Sequence, residues 1–226
     1  MTFTRFAKWV LGVAAIAVLG FAPAALADGS KMNLTNVGNN VLAGNYVGPY
    51  TATVNGVTTL VVCDDFADDS FAGETWTATT NTLASLTGTK WGNQKNATQG
   101  YDEMAWLFTQ MMGSNNPQTV ADLQYAIWAV FDPAALNGLS GKDLKNVLGW
   151  LAQAQAQNYY TGEFSNIVLY TPNKGTQSNC NAWGGCSGPP QEFLAYRATT
   201  PEPASLLLLG TGFVVCGLMM RRTVRA

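Results

Sequence analysis

The chain contains no histidine. That one absence removes Ser-His-Asp and Cys-His catalysis, histidine zinc sites and imidazole pH sensing together. Charge is scarce as well: Asp, Glu, Lys and Arg make up 12% of the 226 residues. Five of the twelve basic residues, Arg5, Lys8, Arg221, Arg222 and Arg225, sit at the two ends. Between positions 28 and 200, seven basic residues face thirteen acidic ones, a net charge of −6. An acidic middle without a basic run argues against nucleic acid as a partner. No heptad run and no internal repeat is present, so neither a coiled coil nor a solenoid is expected.

What is present begins at the ends. Residues 1–27 read as a secretory signal peptide, with Arg5 and Lys8 as the basic region and residues 9–21 as the apolar region. Ala25-Leu26-Ala27 supplies the small-x-small cleavage site. At the other end, Pro201-Glu202-Pro203 precedes an apolar run from Ala204 to Met220, closed by Arg221, Arg222 and Arg225. A run of that length just spans a bilayer, and the arginines hold its end on the cytoplasmic side. The tripeptide, the leucine run and the arginine tail together resemble the PEP-CTERM sorting signal, which places residues 198–226 outside the working domain. The resemblance implies an inner-membrane exosortase as partner, cutting near Pro-Glu-Pro, and a Gram-negative, biofilm-forming host. It also implies anchoring in the inner membrane before processing, then the cell envelope, surface or exopolysaccharide matrix.

Residues 28–197 remain as one exported domain. Two β-branched runs, 50–54 and 57–62, flank Asn55-Gly56, the strongest local hairpin signal. Residues 73–80 read as a further strand with Trp76 inward, and 31–47 as a short strand or two. Helical periodicity then places helices over 101–112, from Pro117 to about Asp132, and over about 141–158. Asn116 is the expected cap of the second helix and Pro117 its first residue. Strand pattern returns at 164–170, and a last apolar piece covers 192–197. The expected fold is α+β, with strands at both ends of one domain around a central block of about three helices.

Cysteine use is sparse but pointed. Cys216 lies in the sorting segment, and Cys180 and Cys186 bracket a short Gly-containing loop in an oxidising compartment, which predicts a local disulfide. Cys63 is then left over, at the end of a core strand. Gln124 is the second odd residue, a glutamine on the core stripe formed by Val120, Ile127 and Phe131. Cys63 followed by Leu123-Gln124-Tyr125-Ala126-Ile127-Trp128 resembles the thioester domains of bacterial surface adhesins. In that family the cysteine sulfur displaces ammonia from the glutamine side chain, and a surface nucleophile later opens the resulting thioester. The resemblance assigns Cys63 and Gln124 to the thioester, with Ala126 and Trp128 completing the motif and Leu123 standing where threonine is usual. Asp64 and Asp65 are candidate proton donors to the departing ammonia, and Trp128 and Trp106 candidate screens against water.

Three function classes follow. The first is an adhesin or matrix protein that attaches covalently through Cys63 and Gln124 to a surface or matrix nucleophile or polysaccharide, in a single turnover rather than as an enzyme. The second is a structural or carbohydrate-contacting envelope protein with an inert Cys63. The third is a secreted hydrolase using paired carboxylates such as Asp65 and Glu74. No cofactor is expected, and no metal beyond a weak calcium candidate in the acidic turn Asp64, Asp65, Asp68 and Asp69, whose spacing lacks the EF-hand glycine and glutamate.

Overall fold

The Asn55-Gly56 turn has both residues at positive φ (50° and 83°), the geometry of a tight hairpin whose twist matches its flanking strands. In the computed structural model, which describes residues 29–175, 188–197 and Thr211, that turn joins β4 (Tyr50–Val54) to β5 (Val57–Cys63). Before it come β1 (Ser30–Asn36) and a small two-stranded ribbon, β2 (Val41–Leu42) and β3 (Asn45–Tyr46). After it β6 (Thr75–Thr82) leads into the helices, and β7 (Ile167–Pro172) and β8 (Phe193–Tyr196) follow them. The expected α+β composition is present. What local pattern did not reveal is closure: six strands form a barrel in the order β1-β4-β5-β8-β7-β6, antiparallel at every seam. Closure leaves none of the six with an open edge. The expected signal peptide, the expected Cys180–Cys186 disulfide and the sorting segment lie outside the described residues, apart from Thr211. Among the described residues no helix is long and apolar enough to cross a membrane.

Strand alternation sends Tyr50, Ala52, Val61, Cys63, Trp76 and Phe193 into the barrel. Trp76 stacks on Phe193 with ring centroids 5.8 Å apart, and Tyr50 meets Phe193 edge-on at 6.3 Å. The opposite face of β5, β8 and β7 carries Val62, Leu194 and Leu169, all buried.

Three helices follow β6. They are α1 (Ala97–Met112), α2 (Pro117–Phe131) and α3 (Gly141–Gln155), with a 3-10 turn at Pro133–Gly138 between the last two. The start of α2 is as expected: the Asn116 side chain accepts from the N–H groups of Gln118 and Thr119, and Pro117 opens the helix. Its far end differs from a one-sided stripe. Every residue from Val120 to Ala129 is buried, because α2 is packed by α1, α3 and β5 together. A helix enclosed on all sides has no polar face to give to solvent. Gln124 is therefore inside whichever way the helix is turned.

Gly100 shows how tight the α1–α2 seam is. A Cβ there would lie 2.3 Å from the Phe131 ring, which is itself stacked on Trp91 and tilted against Tyr101. Alanine gains up to about 1 kcal/mol over glycine in helix propensity, whereas overpacking a closed core costs about 1–3 kcal/mol. Overpacking wins, so Gly100→Ala is expected to lower the urea midpoint; an increase would show that the ring has room to move.

Candidate functional site

Gln124 is fully buried, and each end of its amide is held. Nε2 donates to the backbone carbonyl of Cys63 at 2.6 Å, and Oε1 accepts from the Gly48 N–H at 3.1 Å. The helix and the strand end therefore meet at this one side chain. Gly48 lies two residues before Tyr50, the first residue of β4. A Cβ at Gly48 would be 2.9 Å from Gln124 Oε1 and 3.4 Å from the Tyr50 ring. Only glycine lets the backbone N–H come this close.

Cys63 is also fully buried and is a free cysteine. Its thiol donates to the Asp65 carbonyl at 3.0 Å, and the Asp65 N–H donates back to the sulfur at 3.3 Å. Burial is the main influence pushing the thiol pKa well up, and the charges of Asp65 and Asp64 add to it. The Trp128 indole opposes this. Its N–H is buried without a hydrogen-bond acceptor and close enough to the sulfur to lower the pKa. Trp128 also packs edge-on against Tyr125 (5.0 Å) and against Phe66 (5.2 Å), closing the site with three rings. Ala126 is fully buried in the same turn of α2.

The supporting residues separate. Asp65 points back along its own turn, accepting from the N–H groups of Ala67 and Asp68, and it pairs with Lys90, which also pairs with Asp68. Burial raises the Asp65 pKa to about 6, with Lys90 holding it down. Asp64 takes the other face of the strand from Cys63. It lies against Glu192, and burial followed by that second carboxylate pushes its pKa well up. Glu192 is in turn held by the Tyr101 hydroxyl at 2.6 Å, the Lys90 N–H at 3.0 Å and the Thr171 hydroxyl. The four carboxylates of the acidic turn thus diverge: Asp64 to Glu192, Asp65 and Asp68 to Lys90, and Asp69 to a cavity described below. Glu74 is buried and accepts from the Phe71 N–H, and neither it nor Asp65 lines that cavity. Trp106 is also elsewhere, tilted against Trp150 at 6.3 Å between α1 and α3.

The carboxyl pair has a measurable consequence. Asp64 binds its proton more tightly in the fold than in the unfolded chain, whose carboxylate pKa is about 3.9. From that value up to the raised one, the folded state carries the extra proton and loses stability as pH rises. Asp64→Asn keeps the size of the side chain and removes the titration. Its urea midpoint is expected to exceed the parent's by a margin that grows from pH 5 to pH 8. A margin independent of pH would contradict this assignment.

Above the three rings is a cavity of about 250 Å³, whose wall includes Tyr46, Tyr50, Phe66, Trp128, Asp69 and Gln191. Gln191 connects the two spaces, because its Nε2 donates to the same Asp65 carbonyl that receives the thiol, at 2.7 Å.

With the site in place, comparison with known proteins adds an address. Residues 199–222 match the PEP-CTERM protein-sorting motif. The motif marks an exported protein that passes through a transient membrane-anchored stage and is sorted by an exosortase to the cell surface. No curated protein and no solved structure matches the chain. The PEP-CTERM match lies wholly beyond the barrel and helices, so it speaks to destination and not to the Cys63–Gln124 site. Sequence reasoning had missed Gly48, Tyr125, Lys90 and Glu192. Only the Gly48-Pro49 dipeptide carried a local signal, that of a turn.

Proposed function

We infer that the exported domain is a covalent attachment module, in which Cys63 and Gln124 condense to an internal thioester that an acceptor on a neighbouring surface or matrix then opens. The observation that carries this reading is the double hold on the Gln124 amide, by Gly48 N–H on the oxygen and by Cys63 carbonyl on the nitrogen. The sulfur adds to Cδ of Gln124, and the charge that builds on Oε1 meets the Gly48 N–H, an oxyanion-hole contact. The C–N bond then breaks. Ammonia leaves carrying the thiol proton, with the Cys63 carbonyl beside it as acceptor, so the step needs no oxidant and no cofactor. Enforced proximity in a dry site takes the place of a histidine base. Each molecule reacts once with its acceptor, so the protein is a single-turnover adhesin or matrix component and not an enzyme.

Methylamine tests this. The native protein is expected to be lighter than its sequence by one ammonia and to gain one methylamine at Gln124 on treatment. A protein of full sequence mass that ignores methylamine would leave the second reading, a non-covalent envelope protein whose aromatic cavity contacts carbohydrate.

A further inference from the structure

We propose that the cavity above the site seats an amino sugar of a polysaccharide, and that the primary amine of that sugar is the acceptor the thioester acylates. The proposal rests on the thioester reading and names the partner of the same site.

The lining selects for the ligand in three ways. Two lining amides have a nitrogen already committed, Asn45 Nδ2 to the Tyr125 hydroxyl and Gln191 Nε2 to the Asp65 carbonyl, which leaves their oxygens as the atoms able to accept. The carboxylate of exposed Asp69 adds another, and no lysine or arginine lines the space. A ligand rich in donors fits there, and an anionic one does not. The apolar part of the lining is mostly aromatic, with Leu34 and Val37 beside the rings, and Tyr46 is 55% exposed where Trp128 is buried. Flat ring faces suit the C–H face of a pyranose and the approach of a cationic amine. The size is that of one sugar ring, with no room for a folded protein surface.

The absence of histidine decides between hydroxyl and amine. A sugar hydroxyl needs a base to lose its proton, and this chain has no imidazole to serve. A lysine ammonium, with a pKa of about 10.4, is almost wholly protonated at neutral pH and equally dependent on a base. An amine on a ring carbon flanked by oxygen-bearing carbons is far less basic and supplies free amine unaided. In the step itself, the amine nitrogen adds to Cδ of Gln124 and the C–S bond breaks. The departing sulfur takes the proton shed by nitrogen, leaving an amide between Gln124 and the sugar and a free Cys63 thiol. Cys63 and Gln124 are both fully buried, so a side chain between them and the cavity, where Phe66 packs on Trp128, has to move to admit the amine.

The test incubates the purified full-length protein with glucosamine, N-acetylglucosamine or Nα-acetyl-lysine and follows intact mass over time. Glucosamine is expected to add to Gln124 faster than the lysine analogue, and N-acetylglucosamine not at all. Tyr46→Ala and Asp69→Asn change solvent-exposed residues, which spares the fold. Each is expected to slow the glucosamine reaction about tenfold, the scale of a lost pocket contact, and the methylamine reaction by less, because methylamine has no ring to seat. An equal rate with the lysine analogue, an ester with N-acetylglucosamine, or an unchanged glucosamine rate in both variants would overturn the proposal while leaving the thioester standing. A protein that never loses ammonia would overturn both.

Discussion

Cys63→Ala is expected to abolish attachment completely and to cost the fold a large part of its stability. The proposed bond from position 63 to position 124 would close a loop of about 60 residues, for which the chain-entropy model of a covalent cross-link gives about 4 kcal/mol. For a domain of this size that corresponds to a fall in Tm of roughly 10 °C. Removing one buried sulfur adds to this by the usual cavity effect. Two controls separate the contributions. Methylamine treatment of the parent opens the cross-link while leaving the thiol in place, so it is expected to give most of the same fall. Gln124→Glu offers a carboxylate that a thiol does not displace, and is expected to behave like Cys63→Ala in every attachment assay. If all three species melt with the parent, no covalent link joins β5 to α2.

Gly48→Ala is expected to slow thioester formation by about 10²–10³-fold, the effect of losing one oxyanion-hole donor. The added methyl would lie 2.9 Å from Gln124 Oε1, so either the carboxamide or the strand must shift. The N–H itself survives the substitution, which makes this a test of placement. Fresh protein purified quickly should carry the full sequence mass and lose ammonia over an extended incubation, with near-parental secondary structure throughout. Immediate full conversion would show that the Gly48 contact does not matter to the chemistry. The contrast with Gly100→Ala is useful, since that substitution is expected to lower stability with no change in the rate of ammonia loss.

The elements that announced themselves were those whose signals are local. The Asn55-Gly56 hairpin, the Asn116–Pro117 start of α2 and the Trp76 strand all rest on neighbours within a few residues. Boundaries moved where the signal was weak. α1 begins at Ala97, four residues before the expected start at 101, because its first turn is held by packing and not by a side-chain cap. Barrel closure was hidden because it depends on β6 pairing with both β1 and β7, the second of these across the entire helical block.

The site divides along the same line. Cys63 and Gln124 stood out by composition, a leftover thiol and a carboxamide on a core stripe, and the structure joins the two residues through the Cys63 backbone carbonyl. Their surroundings depend on long-range partners with no spacing to read. Asp64 and Asp65 are adjacent in sequence, yet strand alternation sends one to Glu192 and the other to Lys90. Neither carboxyl hydrogen-bonds the thiol or the carboxamide, whereas the backbone of Gly48 and of Asp65 contacts them directly. A sequence lists side chains, and here much of the positioning is done by main chain.

Peptide mapping at low pH, which preserves thioesters, tests the central claim most directly. The account expects one species in which the peptide containing Cys63 is joined to the peptide containing Gln124, lighter than their sum by one ammonia, with no thiol at Cys63 titratable after unfolding. Two separate peptides, with a titratable Cys63 thiol and an intact Gln124 carboxamide, would contradict it.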